Sequence, residues 1–143
     1  MILYKLGNIL YRNKIPLFPK IFNLLIRLVH NSAVFSETNI GKNTTFAYGG
    51  IGVVIHKRTI IGENCIIGSN VTIGGKSKSL NVPVIGDNCF IATGAKILGE
   101  ITIGNNCVIG ANSVVLKDVP DNSVVAGIPG EIIKSHVNSK DYY

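Results

Sequence analysis

The residues best suited to chemistry in this 143-residue chain are His30, His56 and His136, and one of them breaks a pattern. His56 stands in Val53-Val54-Ile55-His56-Lys57-Arg58, a phrase whose later copies place Gly62 and Gly68 in the same slot. A histidine there can accept a proton near neutral pH, which glycine cannot. His30 closes an apolar stretch and His136 lies in a polar tail, so both are expected at the surface. Cys65, Cys89 and Cys107 form no CxxC pair and are odd in number, which argues against a disulfide framework. All three share one phase of the repeat with Ala95 and Ser113, the phase of a small inward-facing residue in a reducing compartment.

What must position His56 is a six-residue repeat. Ile55, Ile61, Ile67 and Ile73 share one frame, continued by Ile85, Ile91, Ile97, Ile103, Ile109 and Val115. Corners such as Gly62-Glu63-Asn64 and Gly86-Asp87-Asn88 fall between them. A helical period would scatter these aliphatics, and plain alternation would not insert a corner every sixth residue. Short strands joined by left-handed Gly or Asn corners satisfy both constraints, and three strands per triangular coil point every aliphatic at the axis. The frame breaks at Phe46–Gly52 and at Gly74–Pro83, and irregular insertions on a regular scaffold are where function is expected.

Composition bounds the rest. The chain is 46% hydrophobic and 15% charged, which fits one packed domain and excludes disorder. Its net charge of +6 favours anionic partners, but the bases do not cluster with aromatics on a nucleic-acid motif, so no nucleic acid is expected. Residues 1–36 read as a helical cap broken at Pro16 and Pro19, with Ile21, Leu24, Leu25 and Leu28 forming an apolar face over the open coil. The other reading of this basic segment is peripheral contact with a membrane or a glycosyltransferase. No secretory signal is read at the N-terminus, and the apolar stretch 17–29 is too short to span a bilayer, so a cytoplasmic location is expected. Residues 37–134 hold the repeats and 135–143 a polar tail.

The repeat resembles the hexapeptide-repeat acyltransferase family over roughly residues 37–134, which implies an all-β fold, a left-handed parallel β-helix. Within that family "NVTIGG" (70–75), "IATGAKILGEITIGNNCVIGANSVVLKDVP" (91–120) and "VVAGIPGEII" (124–133) resemble the serine acetyltransferase and polysaccharide O-acetyltransferase branch. The resemblance implies acetyl-CoA as acyl donor, no metal, and a homotrimer with sites between subunits. Gly74, Gly75 and Lys76, with Lys78 behind them, would then meet the cofactor's phosphates and backbone. Ala92, Gly94, Ala95 and Ala111 would line the pantetheine arm, with Lys117 and Pro129 near the nucleotide. His56 would be the general base, Tyr48 and Asn81 the acceptor contacts.

Two departures bear on the acceptor. Where serine acetyltransferases carry an Asp-His pair, this chain has Ala47-Tyr48-Gly49, and their histidine and arginine before Pro83 are Val82 and Asn81 here. A sugar or glycan-precursor hydroxyl is therefore the expected acceptor, with serine the alternative and a non-catalytic trimeric scaffold the alternative of another class. A zinc hydratase of this fold needs three histidine ligands, and His56 is the one histidine within the repeats.

Overall fold

The computed structural model describes residues 1–77 and 79–143, so Lys78 lies outside the described residues. Helices α1 (Ile2–Arg12) and α2 (Phe18–His30) form a hairpin ahead of the repeats. The first coil follows as β1 (Ala33–Val34), β2 (Asn39–Ile40) and β3 (Thr45–Phe46). The second is β4 (Val54–Ile55), β5 (Ile60–Ile61) and β6 (Ile66–Ile67), and the third β7 (Thr72–Gly74), β8 (Val84–Ile85) and β9 (Phe90–Ile91). The fourth is β10 (Lys96–Leu98), β11 (Thr102–Ile103) and β12 (Val108–Ile109). Then β13 (Val114–Val115), β14 (Ser123–Ala126) and β15 (Glu131–Ser135) close the end.

Like strands stack in parallel into three faces: β1-β4-β7-β10-β13 is face 1, β2-β5-β8-β11 face 2, and β3-β6-β9-β12-β14 face 3, which β15 extends in antiparallel pairing with β14. The result is a parallel β-helix of about four turns, the left-handed fold that the family resemblance implied. Strands of two or three residues hold because each completes a column in exact step with the next coil: Ile55 sits on Ile73, and Ile73 on Ile97. The frame isoleucines are fully buried on the axis, each contributing about 1.5–3 kcal/mol by leaving water. Coils approach so closely that a Cβ on Gly62 would come within 2.6 Å of the Gly86 backbone, which is why the corner slot is glycine. The first rung starts at Ala33, earlier than residue 37, because Val34 stands six before Ile40 and continues the frame.

Both frame breaks are insertions that leave the columns intact. Phe46 and Ile55 are consecutive core residues separated by nine positions rather than six, and the extra length is taken up in a kinked turn at Ala47–Gly50, where Tyr48 and Gly49 have positive φ. Ile73 and Ile85 are separated by twelve, so an insertion lies between β7 and β8. The C-terminal segment is not a free tail. Ser139 is buried, its hydroxyl donates to the Asn88 carbonyl at 2.6 Å, and the Tyr143 ring lies 5.3 Å from Phe90, so the segment covers part of face 3.

The hairpin caps the first coil, but with other residues than expected. Ile26 is fully buried, the Tyr4 hydroxyl donates to the Thr38 carbonyl at 2.7 Å, and Gly7 lets α1 pass against Ser36 and Phe22. Ile21, Leu24, Leu25 and Leu28 face solvent instead. The packing side of α2 is set by Pro19, Phe22, Asn23 and Ile26, and Asn23 fixes it by accepting from the Ser36 amide at 2.8 Å. Hydrophobicity alone could not tell which side of so apolar a helix would be covered.

Candidate active site

The candidate residues fall on two edges of the prism, either side of face 1. Along the edge between faces 1 and 2 lie His56, then Lys76 and Asn81, then Gly99-Glu100 and Leu116-Lys117. Along the edge between faces 3 and 1 lie Tyr48, Ala92, Gly94, Ala111 and Pro129. One chain therefore separates the two groups by the width of face 1. Its topology gathers Gly74, Gly75, Lys76, Asn81 and Lys117 on the His56 edge and leaves Tyr48 on the other.

His56 continues β4 into the corner. Its amide donates to the Ile73 carbonyl at 2.9 Å, which places it one coil below Gly74. Its carbonyl accepts from Thr59 at 2.9 Å to close a tight turn. The ring Nδ1 accepts from the Arg58 amide at 3.2 Å, so the neutral imidazole carries its proton on Nε2. Partial burial, then the Arg58 and Lys57 charges, hold its pKa below the ordinary histidine value, and the ring is neutral at pH 7. None of its hydrogen bonds reaches a carboxylate.

Above His56 the edge opens. A Cβ on Gly74 or on Gly99 would meet nothing within 4 Å. Gly75, Lys76, Leu98, Gly99, Glu100, Ile101 and Leu116 line a groove there of about 420 Å³. Its walls are aliphatic, and a cation stands at its rim. A second groove of about 690 Å³ runs across face 2, where Arg58 and Asn81 face Glu100, Thr102 and Asp118. The Asn81 side chain donates to Glu100 across the loop.

Several expected residues do other work. Ala95 is fully buried, because its phase is that of the inward cysteines, and it offers no side chain to a ligand. Gly94 lies at φ +77°, where a Cβ would collide with the Asn112 side chain, so it serves the corner rather than a groove. Gly75 is crowded by its own loop, 3.1 Å from Asn81 and 3.2 Å from Val82 at its Cβ position. Lys117 is exposed and faces Glu131 at 3.6 Å. Ala92 is half-buried, while Ala111 and Pro129 are exposed along the far edge.

On that far edge the structure adds a residue that the sequence reading left at the surface. His30, at the end of α2, brings Nδ1 within 3.6 Å of the Cβ position on Gly49, and its carbonyl accepts from the Gly52 amide at 3.3 Å. Ser32 ties the two segments: its hydroxyl lies 2.8 Å from the His30 carbonyl and 2.5 Å from the Gly50 carbonyl, with one proton to donate between them, and it accepts from the Val53 amide at 3.2 Å. Tyr48 stands beside them at φ +51°, strained for an aromatic residue by about 1–2 kcal/mol, with its side chain exposed. No spacing in the sequence could join residue 30 to residue 49. Arg58 was within reach of sequence reasoning, since it stands in the His56-Lys57-Arg58 run.

Comparison with known proteins agrees with this geometry. The model "Bacterial transferase hexapeptide (six repeats)" matches residues 83–117, and "Hexapeptide repeat of succinyl-transferase" matches 58–75. The serine acetyltransferase of Synechococcus elongatus is 37% identical over 135 residues, 93% of this chain and 55% of that protein. A serine acetyltransferase structure from Brucella abortus strain S19 superposes with a TM-score of 0.88 at 31% identity, covering 95% of this chain and 56% of that one. A serine acetyltransferase solved in complex with CoA gives 0.82 at 29% identity, covering 92% and 54%. The chain thus spans about half the length of the relatives it matches. Frame, coil and relatives agree in making it similar to hexapeptide-repeat transferases, whose family models match residues 58–75 and 83–117.

Proposed function

We propose that the chain forms the catalytic β-helix of an acetyl-CoA-dependent O-acetyltransferase acting as a homotrimer. The observation that carries the reading is the groove on the His56 edge, further along the column that His56 and Gly74 begin, with Leu98, Ile101 and Leu116 as walls, Gly75 and Gly99 leaving room, and Lys76 beside Glu100 in its lining. Aliphatic walls suit a pantetheine arm, and the rim cation suits a phosphate. Neighbouring subunits related by a three-fold axis parallel to the prism would bring the far edge, with Tyr48 and Ala111, against this groove. The name shared by the relatives supports serine as acceptor, and nothing among them supports the sugar or glycan expected from the sequence.

In this reading His56 accepts the proton of the acceptor hydroxyl as its oxygen bonds to the thioester carbonyl carbon. The C–S bond then breaks and the proton passes to the departing thiolate. The Arg58 amide occupies Nδ1 and leaves the proton on Nε2, so the ring must turn, or the acceptor must displace that amide, before His56 can act. His30 provides a second reading for the base, favoured by its place beside Tyr48-Gly49, where serine acetyltransferases carry their Asp-His pair. The test is free-thiol release from acetyl-CoA with serine and with sugars, for the wild type, His56→Ala and His30→Ala. A fall of about 10²–10⁴-fold in one variant, with acetyl-CoA still bound, identifies the base. Tight acetyl-CoA binding with no turnover on any hydroxyl would move the assignment to a non-catalytic scaffold.

A further inference from the structure

We propose that the helical hairpin docks on an anionic lipid surface through the side that faces away from the β-helix. In α2 the exposed residues Phe18, Ile21, Leu24, Leu25 and Leu28 recur at helical spacing and form one stripe, with Leu28 72% and Leu24 56% exposed. In α1, Ile2, Leu6 and Ile9 form another, also exposed. A helix that packs one face on its own fold and turns a second apolar face to water has a second partner to meet.

The charge pattern selects that partner. Lys5 and Arg12 flank the α1 stripe, Lys20 and Arg27 flank that of α2, and Lys14 lies in the turn between the helices. No acid occurs before Glu37, whose carboxylate accepts from the Asn23 side chain at 3.2 Å. A second copy placed face to face would bring two such sets of cations together, which opposes self-association through this side. An apolar stripe rimmed by lysine and arginine is what an interfacial helix presents to a negatively charged membrane, with the apolar face sunk at the headgroup boundary. At the turn, Arg12, Lys14 and Lys20 meet Ile15 and Leu17 around a groove of about 570 Å³ that Glu37 also lines, so three cations outnumber one carboxylate where an anionic headgroup would sit beside acyl carbon. No helix among the described residues is long and apolar enough to cross a membrane, so the hairpin would lie on the surface. In the trimer proposed above, the three hairpins would sit at one end of the prism and bind together.

The experiment is co-sedimentation of the purified chain with vesicles of phosphatidylcholine, with and without phosphatidylglycerol. Binding is expected with the anionic vesicles, weakening as salt is raised, and absent or slight with the neutral ones. Lys20→Gln together with Arg27→Gln should weaken it roughly 30-fold, taking the usual contribution of each cation near such a surface. Leu24→Asp with Leu28→Asp should abolish it. Both positions are exposed, and an unchanged circular dichroism spectrum and melting temperature would show the fold intact. Failure of the wild type to bind anionic vesicles would overturn the proposal. So would a larger wild-type assembly that Leu24→Asp and Leu28→Asp dissociate in the absence of lipid, because a second copy would then be the occupant.

Discussion

Asn106 holds a coil corner at φ +57°, donates to the Asn122 side chain at 2.7 Å and to the Val137 carbonyl at 2.8 Å, and accepts from the Ser139 amide at 2.8 Å. Alanine there would take on the left-handed strain and lose all three bonds. Asn106→Ala should therefore destabilise by about 2–3 kcal/mol in chemical denaturation. Asn106→Gly removes the strain and should cost less. Cys89 is similarly fixed: its thiol donates to the Gly104 carbonyl at 3.1 Å, and hydrogen bonding with the Cys107 and Cys65 thiols, reinforced by burial, pushes its pKa far up. It should stay unreactive towards a disulfide reagent until the protein unfolds. If His56 is the base, as proposed, its neutral ring is the form that acts, and burial, then Arg58, disfavours its cation. Arg58→Gln should raise the His56 pKa, and the acid limb of the pH profile of kcat/KM should move to higher pH. A limb that stays in place would detach His56 from the rate.

Elements carry the site in different ways. The β-strands were legible in the sequence because a six-residue period with Gly-x-Asn corners has few other solutions, and Ile55 through Val115 all point inward as read. The insertion between β7 and β8 was legible as a break in that period. Removing residues 75–80 would join Gly74 to Asn81 and restore a six-residue step from Ile73 to Ile85. That deletion should leave the coil folded by circular dichroism and abolish acetyl-CoA binding. The helices were less legible, since α2 is apolar on both sides and only tertiary hydrogen bonds to Asn23 and Ser36 decide which side is covered. Burial lifts the Tyr4 pKa to about 12. Being raised above the ordinary value of 10, it contributes stability that is intact below pH 10 and lost as pH climbs towards 12. Tyr4→Phe should remove that loss and cost about 1 kcal/mol at neutral pH.

At the scale of the molecule, the proposed trimer would make each of the two edges that flank face 1 half of a site. The His56 edge would supply the groove at Gly75 and Gly99, and the other edge Tyr48 and His30. The repeat assigned His56 to a corner and Tyr48 to a break in the frame, but it could not bring His30 beside Gly49, because that contact depends on how α2 packs on the first coil. The central claim is that acetyl transfer happens where one subunit's His56 edge meets its neighbour's Tyr48 edge. The direct measurement is turnover after unfolding and co-refolding of two inactive variants, His56→Ala and a Tyr48 and His30 double alanine, each also refolded alone. The account predicts that the mixture regains acetyl transfer while each variant alone does not, since mixed trimers contain some sites with both edges intact. A mixture as inactive as its components, with mixed trimers verified by mass, would contradict it.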